Sequence, residues 1–303
     1  MVVRVFCPAA ISSFFAPYIV EDPLKCGAWG GGFTIDRGVY VEVEVEANAE
    51  NIELRNIING VEVDSCILRI IYDLMVPSEL KPCKVIVKQR IEVPIECGFG
   101  SSGASALAIS LALAKALKLK MTYLQIARIA HLADYYCRTG LGTVAGIVGG
   151  GFRLAVKPGA PGIAIVDRIP INEDEYRVIA ATFGPISTRE VLGETRKLEY
   201  FTELGKEALK NILKEPTPEN FMKQCRIFAL KSGFMTNRIR GIIENTMNNG
   251  LTNITQNMIG EAVHALVHVS EIDKALSIFK KHFNEENIIV AQIDSRGPRY
   301  IST

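Results

Sequence analysis

A mixed α+β fold is predicted by three observations. Residues 39–47, VYVEVEVEA, alternate apolar and acidic side chains, the period of a half-buried strand. Residues 91–117, IEVPIECGFGSSGASALAISLALAKAL, read as strand, glycine loop and helix in that order. After a Gly/Pro-rich crossing at 157–162, KPGAPG, the remaining sequence is mainly helical. A length of 303 residues suits two domains or one large one.

Taken in order, residues 2–6 form a short apolar strand that Cys7-Pro8 ends. Residues 9–38 are irregular, with Pro17, Pro23 and the run Gly27-Ala28-Trp29-Gly30-Gly31-Gly32, which suits either a substrate wall or a packed linker. Strand 39–47 turns Glu42, Glu44 and Glu46 to solvent, and a helix at 65–75 and a strand at 84–93 lead into the glycine loop. A helix at 122–137, capped by Thr122, brings His131 and Asp134 onto one face. A second glycine-rich region follows, from Thr139 through Gly149-Gly150-Gly151-Phe152-Arg153. Strands are expected at 163–166, 176–181 and 288–293, and helices at 187–192, 200–213, 218–232, 237–248, 258–269 and 271–283.

A net charge of +1 with 22% charged residues gives no electrostatic footprint for nucleic acid or for a membrane surface. No apolar run reaches membrane-spanning length and the first residues lack a signal pattern, so a cytoplasmic protein is expected. Seven cysteines without a C-x-x-C pair predict reduced, buried thiols, with neither zinc nor a disulfide framework. His264 and His268 are four apart beside Glu261 but do not form H-E-x-x-H, and they are expected on a helix face packed beneath the tail.

The glycine loop carries the chemistry. Glycines let the backbone come close to a ligand, and the free N–H groups and dipole at the start of a helix favour an anion. A Walker loop is excluded because no lysine lies between Lys88 and Lys115. Gly98, Gly100 and Gly103 have dinucleotide-fingerprint spacing, but no acidic residue follows about 20 positions on.

The run Pro94, Gly98, Phe99, Gly100, Ser101, Ser102, Gly103, Ala104 resembles the P-x-x-x-G-L-G-S-S motif of the GHMP kinases, with Phe99 where leucine is usual. LGTVAGIVGGGFR answers it later in the chain. The resemblance implies a two-domain α+β fold: an N-terminal ATP-binding domain of ribosomal S5 domain 2 type, residues 1–160, and a ferredoxin-like C-terminal domain, residues 161–303. It also implies ATP and Mg²⁺ as cofactors. Pro94 and Gly98 to Ala104 would hold the nucleotide phosphates, and Ser102 with Asp134 would ligate Mg²⁺. Thr143 falls where mevalonate-kinase-like members have an aspartate, and threonine is no base. Positioning alone can serve a loose phosphoryl-transfer transition state, with His131 or Asp134 assisting.

Within the family, FFAPYIVEDPLKCGAWGGGFTID, PGIAIVDRIP, FGPISTREVL, MIGEAVHAL and DSRGPRYI are similar to the archaeal pantoate kinases. The family's third motif, K-x-x-G-A-G-G-G, is absent. The implied reaction is ATP-dependent phosphorylation of a small hydroxy acid, pantoate to 4-phosphopantoate, in coenzyme A synthesis. Ala28, Trp29, His131, Arg153 and Thr188 would form the substrate site, with the Arg153 guanidinium gripping the carboxylate. Ala28-Trp29 stands where those kinases tend to carry Ser-Arg. That departure leaves mevalonate or mevalonate 3-phosphate as the alternative substrate, with Arg296 and Arg299 as added cations. Thr143, Asp134 and Ala28 together motivate a further alternative, a non-catalytic ligand-binding protein of the same fold. The apolar helices leave room for a homodimer.

Overall fold

The computed structural model describes residues 2–185 and 195–302, with the side chains of 195–198 left aside. Its first sheet has eight strands: β1 (Val2–Tyr18), β2 (Gly27–Ala47), β3 (Glu53–Ile58), β4 (Val61–Glu62), β5 (Cys83–Ile91), β6 (Phe152–Lys157), β7 (Ile165–Arg168) and β12 (Arg299–Tyr300). They run in the order β12-β1-β2-β5-β3-β4, with β6 and then β7 continuing beyond the first half of β2. All pairings are antiparallel except β3 with β5.

The region 9–38, expected to be irregular, is instead the long β1–β2 hairpin. Pro8 does not end β1, because it sits at a register shift between Pro8 and Ala9, where the ladder is interrupted and a missing N–H costs little. A second shift lies between Ser12 and Phe14, and there β2 contributes Gly30, Gly31 and Gly32. A Cβ on Gly32 would run into the carbonyl of Ile11, so the glycine run permits close strand approach and is part of the ladder.

Helix α1 (Cys66–Met75) is capped by Ser65, whose hydroxyl accepts from Leu68 N–H. Helix α2 (Ser101–Ala116) packs against β1, β2, α1 and α3. It is buried almost all round, which its alanines, serines and leucines allow. Helix α3 (Tyr123–Tyr136) begins with a capping box between Thr122 and Gln125. Helix α4 (Thr143–Gly149) leads into β6.

The second sheet has the order β11-β8-β10-β9, all antiparallel: β8 (Tyr176–Gly184), β9 (Ile254–Gln256), β10 (Glu261–His268) and β11 (Ile288–Ala291). Helices α5 (Thr195–Lys214), α6 (Pro218–Ser232), α7 (Asn237–Asn248) and α8 (Ile272–Phe279) accompany it. Helix α5 packs on β1 and α6, and α6 on β9, joining the two sheets in one contiguous apolar core. The helix expected at 258–269 is strand β10. This central strand is buried on both faces, so its apolar run lacks the alternation that marks a half-exposed strand. The expected helix at 187–192 lies outside the described residues.

The cysteine expectation is corrected. Cys66, the first residue of α1, and Cys137, at the end of α3, form a disulfide with a Cα–Cα separation of 5.9 Å; the other five thiols are free and buried. The partners are 71 residues apart, and only the packing of α1 against α3 brings them together. No helix among the described residues is long and apolar enough to cross a membrane.

Candidate active site

A cleft of about 1180 Å³ runs across the first sheet past the start of α2. Gly98, Phe99, Gly100, Ser101 and Ser102 line its middle. The loop is fastened from behind: Ala10 N–H donates to the Phe99 carbonyl (2.8 Å) and Ser12 N–H to the Gly98 carbonyl (3.2 Å). The Phe99 side chain is fully buried. Gly100 is the N-cap of α2 at φ 63°, and a Cβ there would meet Thr143 Cγ2 at 2.8 Å and the Ala10 carbonyl at 2.9 Å. Gly100 has no side chain to cap α2, and the first helical closure is Ala104 N–H to the Gly100 carbonyl (3.1 Å). The N–H groups before Ala104 are the orphan donors of a helix start, and they suit an anion. Pro94, Gly103 and Ala104 frame the loop without lining the cleft.

One polar cluster sits beside this start. Thr139 Oγ1 donates to Asp134 Oδ1 (2.7 Å), and Ser102 Oγ donates to the Thr139 carbonyl (3.3 Å). Asp134 is 2% exposed; burial pushes its carboxyl up, and the hydrogen bond from Thr139 pulls it partly back. The carboxylate fits because residues 103 and 140 are glycines: a Cβ on Gly103 would lie 3.4 Å from Asp134 Oδ2, and one on Gly140 would overlap it. Ser102, Thr139 and Thr143 face the cleft, while Asp134 stands behind them. Among the described residues no three His, Cys, Asp or Glu side chains form a metal-binding group. One carboxylate and one hydroxyl are a donor set for a cation that also takes phosphate and water oxygens.

On the other side of the loop, Ala28, Trp29, Gly30, Gly31, Arg153, Met258 and Ile259 line the cleft. Arg153 is not an outward-facing strand residue. It is 6% exposed, its Nε has no hydrogen-bond partner among the described residues, and burial alone lowers its pKa to about 10. It therefore stays a cation at neutral pH, and among the described residues it has no counter-ion, a costly state that an anion beside it would relieve. Trp29 is packed between the Tyr18 ring (5.3 Å) and Lys206 Nζ (5.0 Å).

The remaining expected residues are placed differently. His131 is buried on α3 and does not line the cleft; its Nε2 lies 3.1 Å from the Pro23 carbonyl, tying the β1–β2 connection to α3. Burial lowers its pKa, against the pull of that carbonyl. Thr188 lies outside the described residues. Arg296 and Arg299 flank buried Asp294, at 3.9 and 2.7 Å, and neither lines the cleft. Sequence reasoning missed Asn56 and Gln89, which are joined by a 2.6 Å hydrogen bond and line the cleft together with Ile58, Ile67 and Ile91. The alternation of KVIVKQRI carried the signal, since it sets Gln89 on the buried face with Val85, Val87 and Ile91.

The chain is similar to known proteins over most of its length. Residues 65–151 match the GHMP kinases N terminal domain. The chain is 34% identical over 281 residues to a pantoate kinase of Thermococcus kodakarensis, covering 91% of each chain. The chain belongs to the GHMP kinase family. It is 30% identical to a pantoate kinase of Methanocaldococcus jannaschii, covering 91% of this chain and 96% of that one. A solved phosphotransferase related to the CoA biosynthesis pathway superposes with a TM-score of 0.88 at 30% identity, over 99% of this chain and 98% of that one. Mevalonate diphosphate decarboxylase from Staphylococcus aureus shares the fold, with a TM-score of 0.74 at 15% identity over 99% of this chain and 98% of that one. The chain is thus an ATP-dependent kinase, and the expectations of a GHMP fold and of a kinase hold.

Proposed function

We propose that the protein transfers the γ-phosphoryl group of ATP to the 4-hydroxyl of pantoate, giving 4-phosphopantoate, ADP and a proton. The observation that carries this reading is Arg153, a buried cation with no partner among the described residues, on the wall of a cleft that a glycine-capped helix start also lines. It is supported by pantoate kinases that match along 91% of the chain.

In this reading the N–H groups at the start of α2, from Ser101 onward, hold the nucleotide phosphates, with Gly98 to Ala104 as the loop. Ser102 and Asp134 hold Mg²⁺, which when bound neutralises charge on the phosphates. Arg153 takes the pantoate carboxylate, turning the far end of the acid toward the phosphates, and Ala28 and Trp29 close that side. Thr143 positions rather than deprotonates, since transfer through a loose transition state needs alignment more than an early base. His131 serves as a tether between α3 and the β1–β2 connection.

The two-domain division at 160/161 belongs to the same reading: the phosphate loop, Asp134 and Arg153 all precede it, although β7 and β12 return to the first sheet. So does a cytoplasmic setting, where ATP is supplied. Incubation with Mg·ATP and pantoate, followed by detection of ADP and 4-phosphopantoate, tests the proposal; absence of both products contradicts it.

A further inference from the structure

Residue 264 lies in the second sheet, yet it is bonded to both supports of the phosphate loop. His264 on β10 is fully buried, with Ser13 Oγ at 2.8 Å from Nε2 and Asn257 Oδ1 at 2.7 Å from Nδ1. Asn257 is also fully buried, and its Nδ2 donates to the Cys97 carbonyl (3.3 Å), next to Gly98. The donors and acceptors allow one assignment. Asn257 uses its amide N–H on Cys97, so Oδ1 must accept, and His264 Nδ1 must carry the proton. Nε2 is then an acceptor, and the Ser13 hydroxyl donates to it. Every bond in the chain Ser13–His264–Asn257–Cys97 points the same way.

Both ends of this chain meet the loop. Ser13 follows Ser12, whose N–H holds the Gly98 carbonyl and whose carbonyl accepts from Met258 N–H (2.8 Å). Asn257 precedes Met258 and Ile259, which line the cleft. A Cβ on Gly98 would lie 2.9 Å from Asn257 Cβ and 3.0 Å from the Met258 carbonyl, so the loop rests directly on this segment. The ring remains neutral at working pH because burial lowers its pKa to about 3.

We infer that His264 is a positioning residue for nucleotide: it fixes the backbone at Cys97–Gly98 through Asn257, and through Ser13 it fixes the strand that holds the loop's carbonyls. The inference rests on the phosphate loop being the ATP site. Asn257 is the direct link, so the Nδ1–H bond carries most of the effect and the Ser13 bond carries less.

His264→Asn places an amide N–H near the Nδ1 position and keeps the bond to Asn257. His264→Gln reaches the Nε2 position and keeps the bond to Ser13 instead. Equilibrium titration with ADP and with ATP should give a dissociation constant raised by about tenfold in His264→Gln, with His264→Asn within about threefold of wild type. The KM for pantoate should stay within about twofold in both variants. Thermal melting of each variant is recorded alongside, because a purely structural role would lower Tm in both without separating their nucleotide affinities. If either His264 variant does not fold, Ser13→Ala and Asn257→Ala supply the comparison, the second weakening nucleotide binding more than the first. Equal nucleotide affinity in the Gln and Asn variants, or pantoate KM rising together with nucleotide Kd, overturns the inference. A wild-type protein that binds neither ADP nor ATP overturns instead the reading on which it rests.

Discussion

The guanidinium of Arg153 occupies the space a side chain on Gly146 would need: a Cβ there would come within 2.6 Å of Arg153 Cζ. Helix α4 therefore lets the arginine pass beneath it toward the cleft. Gly146→Ala should displace the guanidinium and Arg153→Ala should remove it, each raising the KM for pantoate by about tenfold or more while ATP affinity stays near wild type. Steady-state kinetics with each substrate varied in turn checks this. An unchanged pantoate KM in Arg153→Ala removes the residue from the substrate site.

Asp134 combines burial with a proposed need for charge. Its folded-state pKa is raised by burial, so the folded protein holds this proton more tightly than the unfolded chain. That stabilisation is fully present below the unfolded pKa and is lost as pH rises through the folded value. Above the folded value the ionised carboxylate is a burden on the fold, and there Asp134→Asn should raise Tm while lowering turnover by about a hundredfold if the carboxylate holds the metal. Wild-type activity should fall on the acid side above the usual carboxylate range. Melting curves and a pH–rate profile read both effects, and a variant that is less stable and fully active contradicts them.

Ser102 stands at the first turn of α2 and donates to Thr139 beside Asp134. Ser102→Ala should lower turnover by about tenfold or more, equivalent to about 1.4 kcal/mol of lost transition-state stabilisation. Single-turnover kinetics at saturating Mg·ATP separates this from weakened binding. An unimpaired variant removes Ser102 from the proposed metal and phosphate set.

The Cys66–Cys137 bridge closes a loop of 71 residues between α1 and α3. In the chain-entropy account a loop of this length constrains the unfolded state by roughly 4 kcal/mol. Cys66→Ser, or treatment with a dithiol, should therefore lower Tm by several degrees. A thiol titration of the unfolded protein yielding seven free thiols before reduction would show that the bridge does not form.

Much of the site was legible because its parts are local. Pro94, the glycines and the helical run after Ser101 lie in one stretch, and their order dictates a loop facing a helix start. Arg153 was legible by residue type, but its burial depends on Gly146 overhead, seven residues away across a turn. The β1–β2 hairpin was hidden because Pro8 and Gly30 to Gly32 read as loop residues until strand pairing shows register shifts at both places. β10 was hidden because burial on both faces erases the period-2 signal. The Cys66–Cys137 bridge, the Asn56–Gln89 pair and the Ser13–His264–Asn257 chain are long-range, and no spacing in the sequence announces them.

The central claim is the choice of pantoate as phosphoryl acceptor. The direct measurement offers purified protein Mg·ATP with pantoate, pantothenate, mevalonate, mevalonate 3-phosphate and homoserine separately, and follows ADP release. Turnover with pantoate and background rates with the others are expected. Turnover with mevalonate or its 3-phosphate in place of pantoate, or ATP binding without turnover on any acceptor, would contradict the claim.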